Sequence, residues 1–284
     1  MTAIVINGKK IAQELCESVA AKIEKSGGVI PSIVLINANT DPASEIYISK
    51  KVQLAESVGI RSRVHKFKSG VSTDEIADLI KKLNADADVH GILLQSPLGK
   101  GLNFRGLVDL IDPCKDVDGL TTINQGKLFT GEPGVVPCTS LGILHLIGSV
   151  RQDMAGAHAV VLGRSSIVGK PTSQLLLNEN FSVTLLHSRS KNAAEICRRA
   201  DIVVSAVGKP KYVTRDFIKP GAIVIDVGIN RVEIDGVKRI VGDVDFDAVS
   251  EIAAAISPVP NGVGPMTVAY LMYNTMQLSP VGRT

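Results

Sequence analysis

Tryptophan is absent from the 284 residues, and aromatic side chains make up only 4% of them. The basic residues come as short pairs, Lys50-Lys51, Lys81-Lys82 and Arg198-Arg199, without aromatic interleaving, and the net charge is only +3. Backbone-tracking stripes and base-stacking platforms are both missing, so no nucleic-acid partner is expected. Cysteine is scarce: Cys16, Cys114, Cys138 and Cys197 lie far apart with no C-x-x-C spacing. That excludes a disulfide framework or a zinc knuckle, and free thiols fit a reducing compartment, mostly as buried small hydrophobes. The five histidines include no H-E-x-x-H, and no metal is expected. The opening MTAIVINGKK lacks a charged n-region followed by an apolar stretch, so the expected location is cytoplasmic. Long apolar runs are lacking as well. Ile252–Gly282 carries no charge, but Pro258, Pro260, Asn261 and Pro265 break it. Only Pro265–Leu278 is left as a helix, short of the roughly 20 residues a membrane span needs.

What is present is an ordinary globular composition, 45% hydrophobic and 21% charged, at a length that suits two domains. Ile11, Leu15, Val19 and Ile23 recur every fourth residue, which predicts a helix over about 9–25. Strands are expected at Ser32–Asn37, Ser62–Phe67 and Val89–Leu94, and helices at Pro42–Val58 and from Ser72/Thr73 to about Asn84. Ser72 and Glu75 read as a capping box for the second helix. Residues 112–138 read as a loop, after which Thr139 caps a helix to about Val150. Further strands are expected near 159–162, 182–187, 201–206, 222–227 and 256–259, with a hairpin at 231–241 turning on Asp235-Gly236. The alternation predicts an α/β fold of two α/β domains, the C-terminal one a Rossmann-type parallel sheet, with a cleft between them. Ligands of such sheets sit beyond the strand carboxyl ends, so Asn37–Asp41 and Gln95–Leu98 should face one cleft.

The stretch His158–Pro171, HAVVLGRSSIVGKP, runs from an apolar β-branched strand through a small-residue turn into a helix start. Dinucleotide sites are built this way, because the turn lets backbone approach a pyrophosphate and helix N–H groups point at it. The G-x-G-x-x-G fingerprint itself is not met: Gly163 and Gly169 stand where they should, or one place on, with Ser165 and Val168 between. An ordinary βα turn therefore remains an equal reading of the spacing. The next strand ends at His187-Ser188-Arg189-Ser190, without the acid that NAD sites place there for the ribose 2′-hydroxyl. Arg164 in the turn and the hydroxyls at that strand end suit a 2′-phosphate, and the cofactor expected is NADP.

Tyr47 and Lys51 stand at i and i+4, on one helix face. Together they can orient a small substrate, and a desolvated lysine exchanges protons nearer neutrality; taken alone, the spacing more often means a solvated lysine beside a half-buried tyrosine. Gln95 follows a strand's carboxyl end. Asp116 and Asp118 are spaced like metal ligands or like turn aspartates, but the EF-hand pattern fails for want of its final glutamate. Pro258–Thr267, PVPNGVGPMT, is a stiff loop leading into a helix, or backbone shaped to lie against a flat ligand.

Taken together, SEIYISKK, VHGILLQSPL, KDVDGL, PCT, GRSSIVGKP, KPGAIVIDVGIN, VGDV and PVPNGVGPMT resemble the bifunctional methylenetetrahydrofolate dehydrogenase/cyclohydrolase family over nearly the whole chain. The resemblance implies NADP-dependent oxidation of 5,10-methylenetetrahydrofolate and hydrolysis of the methenyl product to 10-formyltetrahydrofolate, in a homodimer. It makes Lys51 the catalytic lysine, Tyr47 the residue that stacks on the folate, Gln95 the lysine's support and Asp118 the pterin-binding aspartate, with Asp116 structural. Gly262, Val263, Gly264 and Pro265 would line the folate site. Gly163, Arg164, Ser165, Ile167, Ser188 and Ile229 would hold NADP, with Arg164 and Ser188 on its 2′-phosphate. The implied domains are 1–140 with the C-terminal helix 265–284 for folate, and 141–264 for NADP. Ser96, Ser140 and Asn261 depart from the leucine, proline and glycine usual in the family. Asparagine tolerates the positive φ that a glycine there would supply. Two other readings remain: a dehydrogenase of the same fold acting on another small acid, or a nucleotide-sensing protein without turnover.

Overall fold

The computed structural model describes residues 2–234 and 236–283. The chain opens with β1 (Ile4–Val5) and α1 (Gly8–Lys25), then alternates through β2 (Ser32–Asn37), α2 (Pro42–Ser57), β3 (Arg61–Lys66), α3 (Thr73–Ala85) and β4 (Gly91–Leu94). Three helices follow, α4 (Phe104–Val108), α5 (Thr122–Thr130) and α6 (Cys138–Gly148). The second alternation is β5 (His158–Leu162), α7 (Gly169–Asn178), β6 (Ser182–Leu186), α8 (Ala193–Cys197), β7 (Ile202–Ser205) and β8 (Ile223–Asp226). The chain finishes with β9 (Asn230–Ile234), β10 (Val237–Val241), α9 (Phe246–Ser250), β11 (Ala255–Ile256) and α10 (Val263–Leu278). The α/β class read from the pattern is borne out.

Two compact units divide the chain: Gln13–Cys138 with Val268–Thr284, and Met1–Ala12 with Thr139–Thr267. In the first, β2 lies between β3 and β4, all parallel. Every residue of β2 and β4 is buried, as continuous apolar strands covered on both faces must be. Val34, Ile36, Ile92 and Leu94 pack there with Ile76 and Ile80 of α3. The α3 capping box forms as read, with the Ser72 side chain and Glu75 each accepting from the other's backbone N–H.

In the second unit six strands run parallel in the order β1-β11-β8-β7-β5-β6. Val160, Leu162, Val203, Val224 and Ile256 form its core. From β5 the chain steps to β6 on one side and then to β7 on the other, so the order reverses between β5 and β7. That reversal is where doubly wound sheets take ligands.

Several expectations need correction. Residues 1–12, grouped by sequence with the first domain, belong to the second unit, because β1 pairs with β11 in its sheet. The 112–138 stretch is not all loop. Thr121 caps α5 by accepting from the Asn124 N–H, and Gly131 ends it at φ 75°. Thr139 lies inside the first turn of α6 rather than capping it. The strand near 256–259 shrinks to Ala255–Ile256, since Pro258 and Pro260 have no N–H to extend the ladder. The hairpin forms as β9 and β10, and Asp235 of its expected turn lies outside the described residues. Among the described residues no helix is long and apolar enough to cross a membrane, and no group of three or more His, Cys, Asp or Glu could hold a metal ion.

Candidate active site

In the first unit the carboxyl ends of β2 and β4 converge. The Gln95 N–H donates to the Ile36 carbonyl (2.9 Å), the Asn39 amide to the Pro97 carbonyl (3.1 Å) and the Gly99 N–H to the Ala38 carbonyl (2.8 Å). Asn37–Asp41 and Gln95–Leu98 thus meet at one edge, as expected. Helix α2 leaves that edge and carries Tyr47 and Lys51. Tyr47 is 40% exposed, open enough to receive a flat ring.

Lys51 Nζ donates to Gln95 Oε1 at 2.8 Å, and the Gln95 amide nitrogen donates to the Ser96 carbonyl at 2.6 Å. The second bond fixes which end of the amide faces the lysine. Segment Lys115–Asp118 runs parallel beside β4: the Ile92 N–H donates to the Lys115 carbonyl (2.7 Å), with Ile92 opposite Asp116. Gly91 makes this approach possible, because a Cβ there would collide with Val117. The pairing carries Asp118 toward the end of β4, where Gln95 sits.

The two aspartates divide sharply. Asp116 is buried and accepts from the N–H of Leu120 (3.2 Å) and Thr121 (2.8 Å) and from the Asn124 amide (2.9 Å). It organises the loop. Asp118 instead meets the Cys138 thiol and feels the charge of Lys51. Burial pushes its carboxyl up, and the lysine opposes the shift. Burial pushes Lys51 down, against the pull of Asp118, which brings the neutral, proton-accepting amine closer to neutrality than in a free lysine.

Two residues that sequence reasoning passed over complete this region. Cys138, expected only as a small hydrophobe, donates its thiol to the Val117 carbonyl (3.3 Å). Asn274 of α10 is buried and donates to the carbonyls of Val117 (3.0 Å) and Val136 (3.2 Å). A polar residue inside an uncharged, apolar helix was the available signal. Of the other thiols, Cys16 and Cys197 are buried and Cys114 is exposed.

In the second unit, Gly163 has φ 113°, and a Cβ on it would lie 2.9 Å from the Ala206 carbonyl carbon and closer still to its oxygen. A Cβ on Gly169 would lie 2.5 Å from the Gly163 carbonyl carbon. The turn is closed so tightly that only glycine fits at either place, which is the backbone cradle a pyrophosphate needs. Ser165 Oγ accepts from the N–H of Val168 (3.2 Å) and Gly169 (3.3 Å), leaving its own O–H proton to donate. Arg164, Ser165 and Ile167 are exposed on the turn, and Ser188 is exposed past β6. The Gly163 N–H donates to the Leu186 carbonyl (2.9 Å), so the turn and the end of β6 are neighbours. Ile229 is 53% exposed beyond β8. These residues fit a dinucleotide with a charged ribose.

Gly262–Pro265 fall in this second unit. Gly262 and Val263 are buried, while Gly264 is exposed with open space where a Cβ would be. Asn261 takes φ 77°, a conformation asparagine enters more readily than most residues. Ser140 is buried with its hydroxyl 3.0 Å from that of Thr172, a polar pair in place of the usual proline.

A parallel sheet with a glycine-locked phosphate turn, and a lysine–glutamine–aspartate cluster on a separate α/β unit, define a nucleotide-dependent enzyme with its own proton-transfer group. Residues 6–118 match the tetrahydrofolate dehydrogenase/cyclohydrolase catalytic domain and residues 137–281 its NAD(P)-binding domain. The chain belongs to the tetrahydrofolate dehydrogenase/cyclohydrolase family, as its motifs indicated. It is 49% identical over 278 residues to the bifunctional protein FolD of Wolbachia pipientis subsp. Culex pipiens, covering 96% of this chain and 94% of the relative. The crystal structure of the bifunctional FolD dehydrogenase/cyclohydrolase of Campylobacter jejuni superposes with TM-score 0.94 at 38% identity, covering 97% and 98% of the two chains. The FolD of Trypanosoma brucei, solved with NADP cofactor and an inhibitor, superposes with TM-score 0.92 at 35% identity, covering 100% of this chain and 98% of that one.

Proposed function

We propose that the protein oxidises 5,10-methylenetetrahydrofolate with NADP+ and hydrolyses the resulting methenyl cation to 10-formyltetrahydrofolate. The observation that carries the hydrolytic half is the partly buried Lys51, tied to Gln95 at 2.8 Å and facing the field of Asp118. Its lowered pKa lets the amine take the proton of a water attacking the methenyl carbon, and the ammonium then returns a proton to the departing ring nitrogen. Gln95 holds the amine in place, Tyr47 supports the folate ring, and Asp118 binds its pterin. Bound NADP supplies the hydride acceptor; the chain's part in that step is orientation, since the folate nitrogen stabilises the cation left behind.

Arg164 and Ser188, exposed at the ends of neighbouring strands, with no acid among His187–Ser190, support NADP over NAD. Gly163, Ser165, Ile167 and Ile229 complete the proposed cofactor contacts, and Gly262, Val263, Gly264 and Pro265 those to the folate. The proposed assembly is a homodimer, for which the open side of edge strand β6 offers backbone donors and acceptors. Exposed Cys114 without a disulfide supports a cytoplasmic setting.

The test is a spectrophotometric assay with 5,10-methylenetetrahydrofolate and NADP+, repeated with NAD+. NADPH should appear without methenyltetrahydrofolate building up. Lys51→Met should abolish hydrolysis and leave part of the hydride transfer, so the methenyl species accumulates. Full hydrolysis by that variant would overturn the role of Lys51, and turnover with NAD+ alone would overturn the cofactor assignment.

A further inference from the structure

The loops that leave β7 and β8 end on one buried carboxylate. Asp243, fully buried, accepts through Oδ2 from the N–H of Val207 (2.7 Å) and Gly208 (3.0 Å). Through Oδ1 it accepts from the Lys209 N–H (3.0 Å) and the Asn230 amide (2.9 Å). The Ser205 hydroxyl adds a longer contact at 3.4 Å. Asp226, at the end of β8, stands behind it. Its Oδ1 accepts from the N–H of Gly228 (3.0 Å) and Asp243 (2.9 Å), and its Oδ2 from the Val244 N–H (2.9 Å). Packing leaves no slack: a Cβ on Gly228 would lie 2.5 Å from the Asp243 nitrogen, and one on Gly242 would lie 2.6 Å from Asp226 Cγ.

Place matters as much as bonding. The order of strands reverses between β5 and β7, and dinucleotides lie across such a reversal with one half on each side. Arg164 and Ser188 occupy the β5–β6 side. The other half of the cofactor must then rest on the β7–β8 side, where Val207–Lys209 and Val227–Asn230 are the loops at the carboxyl ends. Both loops hang from Asp243.

We propose that Asp243 is a positioning residue for NADP, gathering the Val207–Lys209 and Val227–Asn230 loops into the surface that receives the nicotinamide half. The nearby cations are engaged elsewhere: Lys211 pairs with Asp245 at 3.2 Å, and Lys209 Nζ sits 5.7 Å from the centre of the Tyr212 ring. Backbone and amide donors therefore carry the carboxylate's charge. An asparagine at 243 has the right shape, but its NH2 group would face N–H donors and release one loop or the other.

The assignment rests on the NADP reading above, and a wild-type titration run alongside tests that reading by itself. Asp243→Asn is titrated calorimetrically with NADP+ and assayed for both activities. We expect NADP+ to bind at least tenfold more weakly and its KM to rise in step, while hydrolysis of methenyltetrahydrofolate, which uses no nucleotide, stays within twofold. Unchanged NADP+ affinity in the folded variant would overturn the proposal. Equal losses of both activities would also overturn it, since Asp243 would then support the fold at large. Should Asp243→Asn fail to fold, Asn230→Ala decides, because it removes one donor and keeps the backbone set. Severalfold weaker NADP+ binding with hydrolysis kept supports the role, and wild-type affinity refutes it.

Discussion

Gly163→Ala is the sharpest perturbation of the nucleotide turn. Two separate costs arise. The residue has φ 113°, a conformation that strains an L side chain by about 1–3 kcal/mol. The new methyl would also stand 2.9 Å from the Ala206 carbonyl carbon and nearer to its oxygen, so the ends of β5 and β7 must part by roughly 1 Å to reach ordinary contact. They are not free to part. The Gly163 N–H is held by the Leu186 carbonyl at 2.9 Å and the Ala206 N–H by the Leu162 carbonyl at 2.8 Å. Overpacking of this kind adds about 1–3 kcal/mol, for a total of about 2–6 kcal/mol with a middle value near 4. In a chain of this size each kcal/mol lowers Tm by about 2–4 °C, so calorimetry should show a fall of roughly 10 °C. Misplacing the phosphate turn by this much should lower kcat/KM for NADP+ by about a hundredfold. Hydrolysis of added methenyltetrahydrofolate, followed by loss of its absorbance, should change less than twofold. A variant with wild-type Tm and wild-type kcat/KM for NADP+ would refute both the steric argument and the assignment of the turn.

Three further outcomes follow from the buried polar groups. Asp118 raises the pKa of Lys51 while burial lowers it, so Asp118→Asn should move the rising limb of the hydrolysis pH profile to lower pH. A limb that stays or moves up would contradict the coupling. Burial holds Asp226 up at about 6 from 3.8. Between those values only the folded state keeps the proton, so stability should decline as pH rises through the window, by about 3 kcal/mol in full. Denaturant unfolding at pH 4.5 and pH 7 measures this, and an equal slope in Asp226→Asn would exclude Asp226 as its source. Asn274→Leu removes the amide donor from the Val136 carbonyl and leaves the Val117 carbonyl only the weaker Cys138 thiol, which should cost about 1–3 kcal/mol and slow hydrolysis more than it weakens NADP+ binding. Wild-type stability in that variant would show that the two bonds contribute nothing.

Much of the fold was legible because its signals are local. The apolar run SIVLIN needed no partner to read as a strand, and Ser72 with Glu75 marked a helix start that the structure reproduces as a reciprocal cap. The errors fell where the deciding interaction is distant. Nothing near Ile4 and Val5 announces that they pair with Ala255 and Ile256. TINQGKLFT has weak helix propensity in its threonines and glycine, and α5 depends on a cap at Thr121 and on Leu128 being buried. The site divides in the same way. The i, i+4 spacing placed Tyr47 and Lys51 on one face, but the 2.8 Å contact of Lys51 with Gln95 joins residues 44 apart. Asn274 sits 157 residues from the carbonyl of Val117, and no local pattern records that pairing.

Asp116 and Asp118 show why residue type and spacing cannot assign a carboxylate its task. They stand two positions apart in a single motif, and by residue type both are candidates for ligand binding. What separates them is how many donors reach each one. Asp116 takes two N–H groups and an amide, and a carboxylate so occupied has little left for a substrate; its work is to hold the loop still. That fixed loop carries Asp118 to the end of β4 beside Gln95. Asp118 meets a thiol that is a weak donor and a lysine that burial has made reluctant to hold its charge. The same division holds at the other sheet, where Asp226 and Asp243 are consumed by backbone donors while Arg164 and Ser188 stay exposed. In both units a saturated, buried acid fixes the backbone, and the chemistry falls to groups that it does not engage.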